Sequence, residues 1–570
     1  MNQPLEAFNM REPRIAYFSM EIALRSEIPT YSGGLGVLAG DAMRSASDLD
    51  LPMVGVTLVS RAGYFRQEIV DGRQLERPDI WQPEQWAQRL GAKISVQVGA
   101  RELWVAAWLY EIHGQRGASV PVLLLDTDLP ENEPEDRELT HHLYGGDEAY
   151  RMKQEMVLGI GGVRMLGALG FSIRKYHLNE GHAALLALEL LRRFARSPQE
   201  AGTPELQFDV PAVRERCVFT THTPVEAGHD KFSYELADRL LGPFIGAKEL
   251  RQLAGQGELN MTRLALNLSE CVNGVTPRHA EVSRKMFPGY QVHAITNGVH
   301  PWTWACDSLR RLFDAFLPRW SHEPELLARA DLIPDEELRR AHAVAKLALL
   351  HRIQGRDGLS INTSLPVLGF ARRMTPYKRA DLLFFDIDRL RAIAREHPFQ
   401  IVLAGKAHPR DLGGKQIIER LHAWARELGG AVPVHFLPNY DMETARLLVS
   451  GVDVWLNTPL SPLEASGTSG MKAALNGVPN LSVLDGWWLE GCIEGVTGWA
   501  VGGETVADEA DVHARDAASL YLKLDQKVLP LYHESAAGWT AVMKGAIARN
   551  GAYFSSHRMM KQYAVEAYLH

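Results

Sequence analysis

The residues best suited to chemistry lie in two short stretches, ARRMTPYKR (Ala371 to Arg379) and EASGTSGMKAALNG (Glu464 to Gly477). The first gathers Arg372, Arg373, Lys378 and Arg379 within eight positions, directly after an apolar run. Guanidinium groups grip phosphate oxygens in pairs and a lysine adds a point charge. The pattern points to an anion, with a solvated basic turn as the plain alternative. The second stretch sets Ser466, Gly467, Thr468 and Ser469, all helix-starting types, before the helix-forming run Met471 to Leu475. A helix starting there aims unpaired backbone N–H groups and a positive dipole end outward, ready for an anion. Lys472 falls, on this reading, within the first turn. It could pair with an anion, act as a nucleophilic amine whose pKa the dipole and burial have lowered, or be a solvated surface charge. The Walker A pattern is not met, because alanine follows Lys472.

These residues need a frame, and the C-terminal half supplies a rhythm for one. Apolar runs at 365–370, 400–405, 432–437, 452–457 and 481–484 read as strands. Helical patterns at 380–397, 415–428 and 442–451 lie between them. Continuous apolar strands separated by amphipathic helices predict a parallel sheet of the doubly wound α/β class. Ligands of such sheets sit beyond the carboxyl ends of the strands. Three of the four loops there carry cations, and the other carries Tyr440. The N-terminal half shows strand runs at 14–20, 120–127 and 216–223 and long helical runs at 152–170 and 182–196. Two α/β domains are expected, 1–310 and 311–570, with the last helix free to return to the first.

Weaker signals accompany these. Gly33, Gly34 and Gly36 lead into a helical run without meeting the dinucleotide fingerprint, and suit close approach of a phosphate to backbone. His222, Glu226 and His229 lack metal-ligand spacing, and a buried hydrogen-bonded histidine is the favoured reading for His222 and for His182 beside Glu180. The net charge of −8 argues against nucleic acid or an anionic membrane as partner. Four dispersed cysteines, no signal-peptide pattern and no bilayer-length apolar stretch lead to the expectation of a cytoplasmic protein without a metal site or disulfides.

Taken in order, YFSMEIA, SGGLGVLAGD, LYGGDEAYRMKQE, LNEGHAAL, THTPVEAG, VNGVTPRHAEV, TNGVHPWTW, RRMTPYKR, GKAHP, NYDMETA and EASGTSGMKAALNGVPNLSVLDG resemble the α-glucan phosphorylases that use pyridoxal phosphate. The resemblance runs from about Ile15 to about Gly491 and is nearest the compact bacterial and archaeal branch. It implies a GT-B fold, two Rossmann-like domains facing across a cleft. It also implies phosphorolysis of terminal α-1,4-glucosyl units by inorganic phosphate to α-D-glucose 1-phosphate, with retention. Lys472 would hold pyridoxal 5'-phosphate as a Schiff base, and the cofactor's phosphate would serve as acid and base in place of a carboxylate pair. Arg373 and Lys378 would take the substrate phosphate. Arg372, Thr468, Ser469, Gly33 and Gly34 would surround the cofactor phosphate, with Tyr440 also on the cofactor. Glu464, Ser466, Gly467, Asn297 and His222 would bind glucosyl hydroxyls, and Asp147 belongs to a shortened gate segment.

Two departures stand out: Ala23 where the family's animal enzymes have a cofactor-touching tyrosine, and Glu148 where asparagine is usual. The first conserved strand begins near Ile15, so the animal enzymes' N-terminal controls are not expected. Oligomeric state stays open, a homo-oligomer included. The rival readings are a nucleotide-sugar-dependent glucan synthase on the same architecture, which has no use for an imine-forming lysine, and a non-catalytic glucan-binding protein.

Overall fold

The computed structural model describes residue 8 and residues 12–195, 208–357, 362–503 and 509–569. The chain divides into two compact units. The first comprises 1–65, 78–296 and 559–570, and the second 66–77 and 297–558. The sequence reading placed the division at 310/311 instead.

In the first unit a nine-stranded sheet runs, in spatial order, His293–Ala294, Cys271–Gly274, Cys217–Thr220, Ile173–Asn179, Arg14–Ser19, Met53–Leu58, Ser119–Asp126, Arg101–His113 and Gln88–Val98. The strands from His293–Ala294 through Ser119–Asp126 pair in parallel. The last two are antiparallel additions. The central strands Arg14–Ser19 and Met53–Leu58 are buried almost throughout, which is why they read as unbroken apolar runs. The order reverses between Arg14–Ser19 and Ile173–Asn179. That point is where a doubly wound sheet opens its ligand crevice.

The second unit repeats the plan with six strands, all parallel: Val434–Leu437, Gln400–Ala404, Val367–Ala371, Val454–Asn457, Asn480–Val483 and Gly498–Val501. In chain order this is 3-2-1-4-5-6, the doubly wound order. Its reversal lies between Val367–Ala371 and Val454–Asn457. The five expected strand runs are present, shifted by a residue or two, and Gly498–Val501 is a sixth that sequence periodicity did not mark. The helical run 442–451 forms as expected. The run 380–397 does not form one helix. Asp386 accepts the Arg389 N–H at 2.9 Å and so caps a helix of its own, Ile387–Glu396, leaving Leu382–Phe384 as a separate tight turn. Among the described residues no helix is long and apolar enough to cross a membrane.

The C-terminal segment enters the first unit through a buried polar network. His177 meets the Tyr568 hydroxyl through Nδ1 at 2.6 Å and Thr220 Oγ1 through Nε2 at 2.9 Å. Thr220 continues to Asn273 at 2.8 Å and to the Tyr563 hydroxyl at 3.0 Å. Burial pushes the His177 imidazole down to about 3, so it is neutral and can donate through one nitrogen only. Tyr568→Phe leaves one ring nitrogen of a fully buried histidine without its partner. The expected loss is about 1–3 kcal/mol of stability, read by urea unfolding, and a change below about 0.5 kcal/mol contradicts this account of the anchor.

Candidate functional site

The loops at the second sheet's reversal point hold an ionic cluster. Arg372 directly follows the strand Val367–Ala371, and Glu464 lies in the loop after Val454–Asn457. Arg372 Nη1 stands 2.6 Å from Glu464 Oε2, and Lys378 Nζ stands 2.8 Å from the same oxygen. All three side chains are buried. Burial alone would raise the Glu464 carboxyl, but the charges of Arg372 and Lys378 and their hydrogen bonds outweigh it and hold the group down at about 2. The cluster is braced from behind. Arg372 also donates to Asn457 Oδ1, and the Glu464 N–H donates to Asp485 at 2.8 Å. Arg379 is not part of it: its guanidinium binds the carbonyls of Thr458 and Pro459 and the Asp516 carboxylate, a structural use.

The helix after Glu464 is Thr468–Leu475. The capping residue is Gly467, at φ 92°, and no side chain caps the helix. The left-handed backbone at Gly467 needs glycine, and neither Ser466 nor Ser469 serves as cap. The neighbouring helices Leu412–Leu428 and Met442–Gly451 are capped by Asp411 and Asp441. Thr468–Leu475 therefore presents its first N–H groups without a competing side-chain oxygen. Lys472 is the fifth helical residue, in the second turn and not the first. It is buried, with Nζ 3.9 Å from the centre of the Trp304 ring. Trp304 is itself held by Asn476, whose amide donates to its carbonyl at 2.8 Å.

Other expected residues of this unit fall into place unevenly. Ser466 Oγ and Asn297 Oδ1 are buried and have no hydrogen-bond partner among the described residues. A buried polar atom left unpaired costs about 1–3 kcal/mol, so both are suited to a ligand's hydroxyl groups. Thr468 and Ser469 are half-buried at the helix start, where Trp455 Nε1 donates to Ser469 Oγ at 3.2 Å. Burial pushes the Tyr440 phenol up from its ordinary value, with the Arg372 charge acting the other way. Arg373 is exposed, while its neighbour Arg372 is buried.

In the first unit, Gly33 caps the helix Gly34–Asp48, again with no side-chain cap. The turn is fixed by Glu21, which accepts the N–H groups of Ser32 at 2.5 Å and Gly33 at 3.3 Å and the Tyr144 hydroxyl at 2.8 Å. His222 binds Asn179 Oδ1 through Nε2 at 2.6 Å, and its N–H donates to Glu180 at 2.7 Å. Desolvation, then nearby histidines, drive it down to about 3, so it is neutral. Asp147 is exposed and caps the helix Glu148–Met156 by accepting the Tyr150 N–H at 2.9 Å. His229 binds Thr262 and Glu226 binds Lys231, so these two serve separate contacts. Sequence reasoning did not single out Glu21, Asn457, Trp304 or Asp485. Their role is to hold other residues, and no local spacing marks that.

Two cations thus meet on one carboxylate at the reversal point of a parallel sheet, before a helix start without a side-chain cap and a buried lysine. The family model of carbohydrate phosphorylases matches residues 25–106 and 245–492. The maltodextrin phosphorylase of Thermococcus litoralis is 39% identical, over 98% of this chain and 70% of its own. The glycogen phosphorylase of Aquifex aeolicus is 36% identical, over 97% of this chain and 86% of its own. That of Mycobacterium tuberculosis is 37% identical, over 97% and 70%. The chain belongs to the carbohydrate phosphorylase family.

The cluster has a pH signature. Glu464, lowered from 4.5 to about 2, contributes stability that is complete above pH 4.5 and lost as pH falls towards 2. His182 and His222, lowered from 6.5 to about 3, cost stability as pH falls from 6.5 towards 3. Glu464→Gln should flatten the dependence of urea-unfolding stability between pH 4.5 and 2 and leave the limb above 4.5 in place. An unchanged lower limb would show that this carboxylate is not held by its two cations.

Proposed function

We propose that this α-glucan phosphorylase transfers terminal α-1,4-linked glucosyl units of a maltodextrin or glycogen chain to inorganic phosphate. The product is α-D-glucose 1-phosphate, formed with retention. The observation that carries the reading is the buried Arg372–Glu464–Lys378 cluster beside an uncapped helix start and the buried Lys472. The GT-B architecture belongs to the proposal, as does the division into a glucan side within 1–310 and a phosphate side within 311–570.

The residues fit pyridoxal 5'-phosphate. Lys472 offers a buried amine packed on an aromatic ring, and the N–H groups opening Thr468–Leu475 suit a phosphate. Arg372, Thr468, Ser469 and Tyr440 would hold the group. Bound there, it supplies a phosphate that can exchange a proton with the substrate phosphate.

The protein's own side chains do the rest. Lys378 and Arg373 hold the substrate phosphate, and Arg372 together with the helix start offsets repulsion between two neighbouring anions. Glu464 stays ionised across the physiological range and accepts hydrogen bonds from hydroxyl groups of the glucosyl unit, placing its anomeric carbon. Ser466 and Asn297 offer their unpaired buried oxygens to further hydroxyls, and Gly467 lets the backbone come close. Gly33, Gly34, His222 and Asp147 enter on the resemblance alone.

Proton NMR of a reaction with maltodextrin and phosphate should show the α anomer of glucose 1-phosphate. Free glucose as main product, or turnover only with ADP- or UDP-glucose, contradicts the reading. Arg373→Ala removes a charge-assisted contact to substrate phosphate and should lower the rate roughly 30- to 1000-fold, with the cofactor still bound. A fully active variant places the phosphate on another loop.

A further inference from the structure

Residues 66–77 interrupt the first unit in sequence yet belong to the second. They form an antiparallel hairpin, Arg66–Val70 with Arg73–Arg77. Register pairs Gln67 with Glu76, so Gln67, Gln74 and Glu76 share one face. On that face Gln67 and Gln74 are buried, an unusual place for two amides unless every polar atom is used.

Both are used, on backbone groups and on neighbouring side chains. Gln67 Nε2 donates to the Gly405 carbonyl at 2.9 Å and to Gln74 Oε1 at 2.8 Å. Gln74 pairs with Ala407 in both directions: its Nε2 donates to the Ala407 carbonyl at 2.8 Å, and its Oε1 accepts the Ala407 N–H at 2.9 Å. Gln67 pairs likewise with Asn439. The Gln67 N–H donates to Asn439 Oδ1 at 3.1 Å, and Gln67 Oε1 accepts the Asn439 N–H at 2.9 Å.

The two loops gripped in this way carry or touch the anion site. The Gly405–Ala407 loop lies against the Arg372 backbone. Arg372 N–H donates to Ala404 at 3.2 Å and Met374 N–H to Lys406 at 3.0 Å. A Cβ at Gly405 would stand 2.0 Å from the Arg372 carbonyl oxygen, and its φ of 150° admits glycine. The close approach and the two hydrogen bonds couple the Arg372 backbone to this loop. Asn439, in the left-handed region at φ 54°, immediately precedes Tyr440. The hairpin thus reaches Arg372 through one loop and Tyr440 through the other.

We propose that Gln67 and Gln74 are positioning residues for phosphorolysis, holding Arg372 and Tyr440 in register through the Gly405–Ala407 and Asn439 backbones. This rests on the functional reading above. An amide is required because each side chain must both donate and accept. A carboxylate of the same size would set oxygen against the Gly405 carbonyl, or at position 74 against the Ala407 carbonyl and the Glu76 carboxylate, which now accepts from Gln74 Nε2 at 2.7 Å and pairs with Lys415 at 2.7 Å, and only its protonated form could donate there again.

The test compares holoenzymes of wild type, Gln67→Glu, Gln74→Glu and the control Arg73→Ala, an exposed hairpin residue paired at 3.5 Å with Glu419. Initial rates are measured against phosphate and against maltodextrin over a range of pH. The glutamate variants should lose roughly ten- to hundred-fold in kcat/KM for phosphate near neutral pH, with KM for maltodextrin unchanged. Their activity relative to wild type should rise as pH falls and the new carboxyl gains a proton. Arg73→Ala should match wild type. Folded glutamate variants with unchanged kinetics, or with a deficit independent of pH, overturn the proposal. So does failure of both to fold, because the hairpin would then hold the fold and not the site. A wild type without phosphate-dependent turnover defeats the functional reading instead.

Discussion

A carboxylate and two cations removed from water are stable only if each charge is met at close range and every remaining polar atom is engaged. The Arg372–Glu464–Lys378 cluster meets that condition, and much of the second unit is arranged so that it can. Arg372 must leave the sheet at the end of the first strand and meet Asn457 at the end of the fourth. Glu464 must be pinned by Asp485 through its backbone. Lys378 must follow a turn whose next residue, Arg379, is tied down by Thr458, Pro459 and Asp516. Removing one member of such a buried set typically costs about 3–5 kcal/mol, since the others are left uncompensated. The cluster concentrates positive charge at one fixed place in a protein whose net charge is −8.

Each unit reaches a similar local solution by the same topological route. In both sheets the strand order reverses beside the first strand, and the chain leaving that point carries functional candidates. In both, the nearby helix start is a glycine without a side-chain cap, Gly33 or Gly467. Glycine forgoes the stabilisation of an Asp or Ser cap, and the N–H groups remain able to serve something else. The carboxylates near these starts act on the turn or the cations: Glu21 holds the Ser32–Gly33 turn, and Glu464 holds Arg372 and Lys378.

The parallel strands of the second unit were legible because burial on both faces leaves continuous apolar runs, as in Gln400–Ala404. The cationic loop after Val367–Ala371 was legible because arginine and lysine rarely crowd together after a buried strand without a reason. Two misplacements have local causes. Asp386 broke an apparently continuous helical run by capping its own downstream helix. The helix opens at Thr468 behind its Gly467 cap, which puts Lys472 in the second turn and not the first. The hairpin's two glutamines were out of reach for a different reason. Their partners, Gly405, Ala407 and Asn439, lie more than three hundred positions away and offer only backbone or a side-chain amide. No periodicity or spacing records a contact of that kind.

The proposed chemistry requires Lys472 to be the amine that carries the cofactor. The most direct measurement is a peptide map of the purified protein after borohydride reduction in the presence of pyridoxal phosphate. One phosphopyridoxyl-modified peptide, containing Lys472, is expected. An unmodified Lys472, or the group carried by a different lysine, would contradict that chemistry.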